Sequence, residues 1–100
     1  MAVNIFVSQL LDCYGKILPE KQHRILDGYY NNDLSLAEIA ENEGISRQGV
    51  SDFIKRGEAQ LTEFEEKLGW LGRVSQLKAE SEKVRHGADI KELLSIIDKL

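Results

Sequence analysis

Side chains suited to reading a nucleic acid are gathered between positions 46 and 56 of this 100-residue chain. Arg47 and Gln48 are of the types that pair with the edges of guanine and adenine in the DNA major groove. Ser46, Lys55 and Arg56 are suited to contacting phosphate oxygens. If this stretch is a helix, the polar residues that point outward together are Arg47, Gln48, Ser51, Asp52 and Lys55.

The stretch LAEIAENEGISRQGVSDFIKRG has the spacing of two short helices joined by a tight turn. Ala40 is small where the helices would cross, and Gly44 can adopt the positive φ that a sharp turn needs. Ile45 would pack the turn into the core, and Val50 and Phe53 would hold the second helix against the first. The pattern therefore predicts a helix-turn-helix whose second helix presents polar side chains to a major groove.

The rest of the chain is also predicted to be helical, because it holds a single proline and no window alternates apolar and polar residues over a strand's length. Gly15 is expected to end the first helix, and Pro19 to occupy the first position of the second. Ser35 and Glu38 form a capping-box pattern before the turn. The predicted helices of this part span about 3–14, 19–30, 36–42 and 47–68.

Apolar residues at heptad spacing continue through the last third of the chain. The run from Gly69 to Gly72 is expected to interrupt the fourth helix, and Asp89 is a candidate cap for a last helix that ends at Leu100. Such apolar seams usually pack on another helix, in the same chain or in a second copy. We predict a helix-turn-helix domain over 1–68, a helical extension over 69–100 that dimerises, and an interface formed by Leu61, Phe64, Leu68, Trp70, Leu71 and Leu77.

Trp70 has two interpretations, and the sequence leaves both open. A single large aromatic residue close to two glycines either covers the core or anchors a subunit interface.

Composition limits the class of protein. The formal net charge of −4 argues against a strong nucleic-acid binder, although Arg47, Lys55 and Arg56 give residues 45–60 a local excess of one positive charge. The single cysteine, Cys13, cannot form a disulfide within the chain, which agrees with a reducing cytoplasm. No apolar run approaches the ~20 residues that span a membrane. We therefore expect a cytoplasmic protein with no membrane partner.

Catalytic and metal-binding patterns are lacking in the sequence. It has no glycine-rich phosphate loop and no nucleophile with a base nearby. His23 and His86 are far apart, and neither has a cysteine or a second histidine at ligand spacing. The sequence predicts neither an enzyme, nor a metal site, nor a cofactor.

Four pieces of the chain, LLDCYGKILPEKQ, LSLAEIA, SRQGVSDFIKR and FEEKLG, resemble the YlxM-like helix-turn-helix family. The resemblance covers about Leu10 to Leu71 and implies an all-α fold similar to the fourth region of RNA polymerase sigma factors. Genes of this family typically accompany those of the signal recognition particle. The resemblance implies recognition-helix positions at Arg47, Gln48, Gly49, Ser51, Asp52, Lys55 and Arg56.

This chain departs from the family pattern at two positions and from the general helix-turn-helix pattern at a third. Family members tend to have alanine and tyrosine where it has Gly49 and Ser51, which removes helix propensity and an aromatic contact. Glu43 lies where such motifs usually carry an apolar residue, so we expect the helix before the turn to be held less tightly.

Two functions fit these patterns. The first is a DNA-binding transcriptional regulator linked to the signal recognition particle pathway, with double-stranded DNA bound through Ser46 and the seven recognition positions. The second is a protein- or RNP-interaction module that acts on components of that particle without binding DNA. The polar cluster favours the first, and the acidic net charge favours the second.

Overall fold

The computed structural model describes residues 4–87 and 90–100, and these residues form helices without any strand. This confirms the predicted all-α class. The predicted start at Val3 and the candidate cap Asp89 lie outside the described residues. The helices are α1 (Ile5–Tyr14), a 3₁₀ turn (Gly15–Ile17), α2 (Glu20–Tyr30), α3 (Leu36–Glu43), α4 (Arg47–Leu68), α5 (Trp70–Arg85) and α6 (Ile90–Asp98).

The chain divides between Leu68 and Gly69 into two compact units. In the first unit, α4 packs against α1, α2 and α3. The helical apolar spacing of the sequence produces this arrangement, because each helix carries one apolar stripe that must be buried. The buried hydrophobic residues are Val7, Leu10, Leu11, Tyr14, Leu18, Ile25, Leu26, Ile39, Ala40, Val50, Ile54 and Leu61.

Local signals set most of the helix boundaries of this unit. The capping box is present, since Ser35 Oγ accepts from the Glu38 N–H at 3.1 Å and Glu38 Oε1 accepts from the Ser35 N–H at 3.2 Å. The long fourth helix is confirmed, with 22 residues. Gly15 ends α1 as predicted, but the chain continues into the 3₁₀ turn. Pro19 lies one position earlier than predicted, as the N-cap residue of α2.

Gly57 allows α4 to approach α2 closely. A Cβ atom at this position would lie 2.6 and 2.7 Å from the two Cδ atoms of Leu26, which is completely buried. Such distances are far below van der Waals contact, so a side chain at this position would force the buried Leu26 to move, and the close crossing of α2 and α4 favours glycine.

The second unit consists of α5 packed on α6. Gly69 alone separates α4 from α5, with a φ of 61°. The predicted interruption over 69–72 was therefore too long, because Trp70, Leu71 and Gly72 form the first turn of α5. No described residue of α5 or α6 is buried. In the parts of the chain that the structure covers, no helix is both long enough and apolar enough to cross a membrane.

Candidate nucleic-acid interface

The turn between α3 and α4 has the geometry that its glycine predicts. Gly44 adopts a left-handed conformation, with φ 69° and ψ 32°. The N–H of Ile45 donates to the carbonyl of Ala40 at 3.1 Å, which closes the end of α3. α3 packs on α4, and Ala40 of the first helix and Val50 of the second are both buried. These contacts fix the direction in which α4 leaves the turn.

Ser46 caps the start of α4. Its Oγ accepts a hydrogen bond from the Gly49 N–H at 3.0 Å, so the predicted cap is confirmed. A hydroxyl that accepts one hydrogen bond can still donate its own hydrogen. Ser46 can therefore cap the helix and contact a phosphate oxygen at the same time.

The first three turns of α4 expose most of the predicted DNA-binding residues. Gly49 and Ser51 are half-buried, so Ser51 points outward less than its spacing predicts. The exposed residues, which we call the recognition face, are Ser46, Arg47, Gln48, Asp52, Lys55 and Arg56. The helix thus brings the candidate base-reading and phosphate-binding residues onto one accessible surface.

The cations of the recognition face are not paired with carboxylates, whereas Gln48 is hydrogen-bonded to one. Within the described residues, Arg47, Lys55 and Arg56 have no carboxylate within 4.0 Å. Gln48 Nε2, in contrast, donates to Asp52 Oδ1 at 3.1 Å. Gln48 must therefore share its amide between Asp52 and any base that it contacts. A shallow concavity of about 380 Å³ lies on this face, lined by Gly49, Asp52, Phe53, Lys55 and Arg56.

Glu43 does not loosen the helix before the turn, contrary to the expectation from its charge. Arg24 of α2 donates from Nε to Glu43 Oε2 and from its terminal nitrogen to Oε1, both at 2.7 Å. The Glu43 side chain is only 12% exposed. A bidentate ion pair thus replaces the usual apolar contact and ties the end of α3 to α2. The hydrogen bond from Arg24 holds the pKa of the Glu43 carboxyl below its ordinary value.

The Arg24–Glu43 ion pair should make stability depend on pH in a defined direction. A carboxyl whose pKa is lower in the folded state stabilises that state above its unfolded pKa, about 4.3 for glutamate. This stabilisation is lost as the pH falls through the folded-state pKa. In urea unfolding between about pH 5 and pH 3, Glu43→Gln should lose less stability than the wild type.

The matched control is Glu66→Gln, which changes the same charge at an exposed position of α4 that forms no ion pair within the described residues. The free energy of unfolding of this control should fall with decreasing pH as steeply as that of the wild type. A Glu43→Gln protein with the same slope as the wild type would show that the ion pair does not stabilise the fold.

Lys21 is a neighbour of the recognition face that the sequence did not reveal. Its Nζ lies 5.3 Å from the centroid of the Phe53 ring, and the guanidinium carbon of Arg56 lies 4.8 Å from the same centroid. Lys21 belongs to α2 and precedes Phe53 by 32 positions, so no local pattern connects them. Only the packing of α2 on α4 brings this cation beside the predicted set.

The predicted dimer-interface residues occupy different environments. Leu61 is completely buried within the chain, so it is part of the core of the first unit. Phe64 is half-buried, with its ring centroid 5.9 Å from that of Tyr14. Leu68 and Trp70 are about half exposed, and Leu71 and Leu77 are half-buried. Leu61 is therefore not accessible to a partner, and the interface remains a prediction for the other five residues.

The described residues do not form a candidate metal site. Over 4–87 and 90–100, no three His, Cys, Asp or Glu side chains are placed to hold a metal ion.

Comparison with known proteins agrees with this arrangement of helices. The profile of the UPF0122 family, described as "Putative helix-turn-helix protein, YlxM / p13 like", matches residues 2–98. The chain is 42% identical to the UPF0122 protein of Thermoanaerobacter sp. (strain X514) over 103 aligned positions, which cover 96% of this chain and 88% of the relative.

Two further relatives carry the same family name. The UPF0122 protein of Acetivibrio thermocellus is 58% identical over 69 positions, 69% of this chain and 59% of the relative. That of Clostridium botulinum (strain Alaska E43 / Type E3) is 39% identical over 99 positions, 99% of this chain and 89% of the relative. This chain belongs to the UPF0122 family of YlxM / p13-like helix-turn-helix proteins.

Proposed function

We propose that this protein binds double-stranded DNA as a transcriptional regulator, with the first three turns of α4 in the major groove. The observation that carries the proposal is the recognition face itself. Arg47, Lys55 and Arg56 are exposed there, and none is neutralised by a carboxylate within the described residues. A protein of net charge −4 that nevertheless leaves three cations accessible on one helix can attract phosphate locally.

Two acids on either side of the recognition face in sequence are paired with cations. Glu43, just before the turn, is paired with Arg24, and Glu63, further along α4, is paired with Lys67 at 2.7 Å. These pairs reduce the negative field that the two carboxylates would otherwise exert on the recognition face. Asp52 is the one acid of the recognition face, and it accepts from Gln48.

Salt dependence of binding is the direct test of this function. Each phosphate contacted by a cation lowers the slope of log K against log [salt] by about 0.9. Two phosphate contacts per chain, by Lys55 and Arg56, predict a slope of about −1.8 per bound chain for a mixed-sequence duplex, measured by fluorescence anisotropy. Failure of the wild type to bind any duplex at low salt would overturn the proposal.

We also propose that the protein is a homodimer that associates through residues 69–100. The apolar residues of the second unit support this, since Ile90, Leu94, Ile97 and Leu100 are each about half exposed. Apolar side chains at helical spacing on a small unit are usually covered by another helix. Sedimentation equilibrium at tens of micromolar should give twice the chain mass, and a monomer at that concentration would reject the dimer.

The resemblance to YlxM-like proteins leads us to propose the signal recognition particle pathway as the process regulated. A second function, docking on particle components without DNA, is favoured by the net charge of −4, because an acidic protein attracts basic partners. It predicts co-purification with particle protein or RNA and no duplex binding at physiological salt. Duplex binding at physiological salt would reject it.

A further inference from the structure

A second concavity lies beside the recognition face, between the start of α2 and the middle of α4. It has a volume of about 300 Å³, at the lower end of the range of small-ligand sites. We call it the α2–α4 groove, and it is lined by Pro19, Lys21, Gln22, Phe53, Arg56 and Gln60. Phe53 and Arg56 also line the concavity of the recognition face, so the two depressions share a wall.

The lining of the groove is cationic. Lys21 and Arg56 contribute two positive charges, and no carboxylate lines the groove. Neither cation has a carboxylate within 4.0 Å among the described residues, and both ends are held beside one ring, that of Phe53. Two cations fixed at one place in an acidic protein form a local site for an anion.

Gln60 adds a second, independent observation. Its Oε1 is buried and accepts no hydrogen bond from any described residue, and Gln60 also lines the groove. A buried acceptor without a donor is costly, so this oxygen would be satisfied by a hydrogen bond from a bound water. An anion in the groove is thus recognised by the two cations, and a water bound beside it would donate to Gln60 Oε1.

We propose that the α2–α4 groove binds a phosphate group through Lys21 and Arg56. The guanidinium fork of Arg56 suits phosphate oxygens in particular, and Lys21 adds a second charge. The phosphate comes either from the DNA backbone beside the major groove, in which case the inference rests on the proposed function, or from a small phosphate ester. Arg56 lines both depressions, so it would contact the phosphate in either case.

The test uses the full chain, with Lys21→Gln as the variant and Lys16→Gln as the matched control. Lys16 is exposed and forms no ion pair within the described residues, and it lines neither depression. Both variants remove one positive charge. Circular dichroism melts show whether each variant remains folded.

The first arm measures duplex binding against salt. If a backbone phosphate occupies the groove, Lys21→Gln reduces the size of the salt slope by about 0.9 and weakens low-salt binding several-fold. Lys16→Gln leaves both unchanged. The second arm titrates inorganic phosphate and adenosine monophosphate and follows the backbone amides of Lys21 and Gln22 by NMR. A small phosphate ester predicts saturable shifts there that Lys21→Gln abolishes.

The outcomes separate the two sources. An effect in the first arm alone assigns the groove to the DNA backbone, and an effect in the second alone assigns it to a small phosphate ester. If Lys21→Gln behaves like Lys16→Gln in both arms, the phosphate site is refuted. If the wild type binds no duplex, the proposed function fails, and the second arm alone decides the groove.

Discussion

Replacing Leu26 by Ala is expected to lower the free energy of unfolding by about 2–5 kcal/mol, the usual cost of truncating a fully buried leucine. The added change Gly57→Ala is then expected to recover about 1 kcal/mol. The new methyl group fills space that the Leu26 Cδ atoms occupied, and alanine has a higher helix propensity than glycine. Urea unfolding followed by far-ultraviolet circular dichroism measures both changes.

In the wild-type background, the same Gly57→Ala substitution is expected to destabilise. Its Cβ would lie 2.6 Å from a Cδ atom of Leu26, and overpacking a filled core costs about 1–3 kcal/mol, more than the gain in helix propensity. The effect of Gly57→Ala should therefore change sign between the two backgrounds. The wild type, the two single variants and the double variant form a double-mutant cycle. If the stability effects of Leu26→Ala and Gly57→Ala simply added, the close crossing of α2 and α4 would be contradicted.

Gly49→Ala is the matched control for this cycle. It lies on the same helix, but the nearest atoms to its Cβ would be the exposed Ser46 Oγ, at 3.3 Å, and Ile45 side-chain atoms at 3.6 Å or more. It should stabilise by up to about 1 kcal/mol through helix propensity, and this effect should not depend on residue 26.

Removing Arg47 and Lys55 together, as Arg47→Ala with Lys55→Ala, is expected to weaken duplex binding at low salt by about 10- to 100-fold. An arginine that pairs with a base edge contributes about 1–3 kcal/mol, and a lysine on phosphate contributes a further electrostatic term. The size of the salt slope should also fall, by about 0.9 for each phosphate that is no longer neutralised. Anisotropy titrations on one duplex at several salt concentrations measure both quantities.

The control for this pair is Lys16→Ala with Lys78→Ala. Both lysines are exposed and form no ion pair within the described residues, and their removal changes the net charge by the same two units. The control protein should keep most of the affinity. Equal losses in the two double variants would mean that overall charge, and not the recognition face, determines binding.

Features set by residues close together in the chain could be predicted from the sequence. The capping box of Ser35 and Glu38, the left-handed turn at Gly44 and the cap at Ser46 each depend on residues within a few positions. The exposure of Arg47, Gln48 and Lys55 followed from helical spacing in the same way. Such local rules involve only residues that are neighbours in sequence, so their patterns are visible in the chain.

Features that join different helices could not be predicted in this way. From the sequence, Glu43 was expected to weaken the motif. Its partner Arg24 is 19 positions away, and their ion pair exists only once α2 and α3 pack, so no local pattern revealed it. Lys21 was missed for the same reason. Leu61 fitted a heptad seam, but helical spacing does not say whether an apolar side chain packs within its own chain or against a second copy.

Amide chemical-shift mapping tests the central claim most directly. The full chain, labelled with ¹⁵N, would be titrated with a mixed-sequence duplex at low salt, and the shift of each backbone amide recorded. We expect the largest changes on residues 46–56, together with the side-chain amide of Gln48. Changes confined to α5 and α6, with residues 46–56 unaffected, would contradict it.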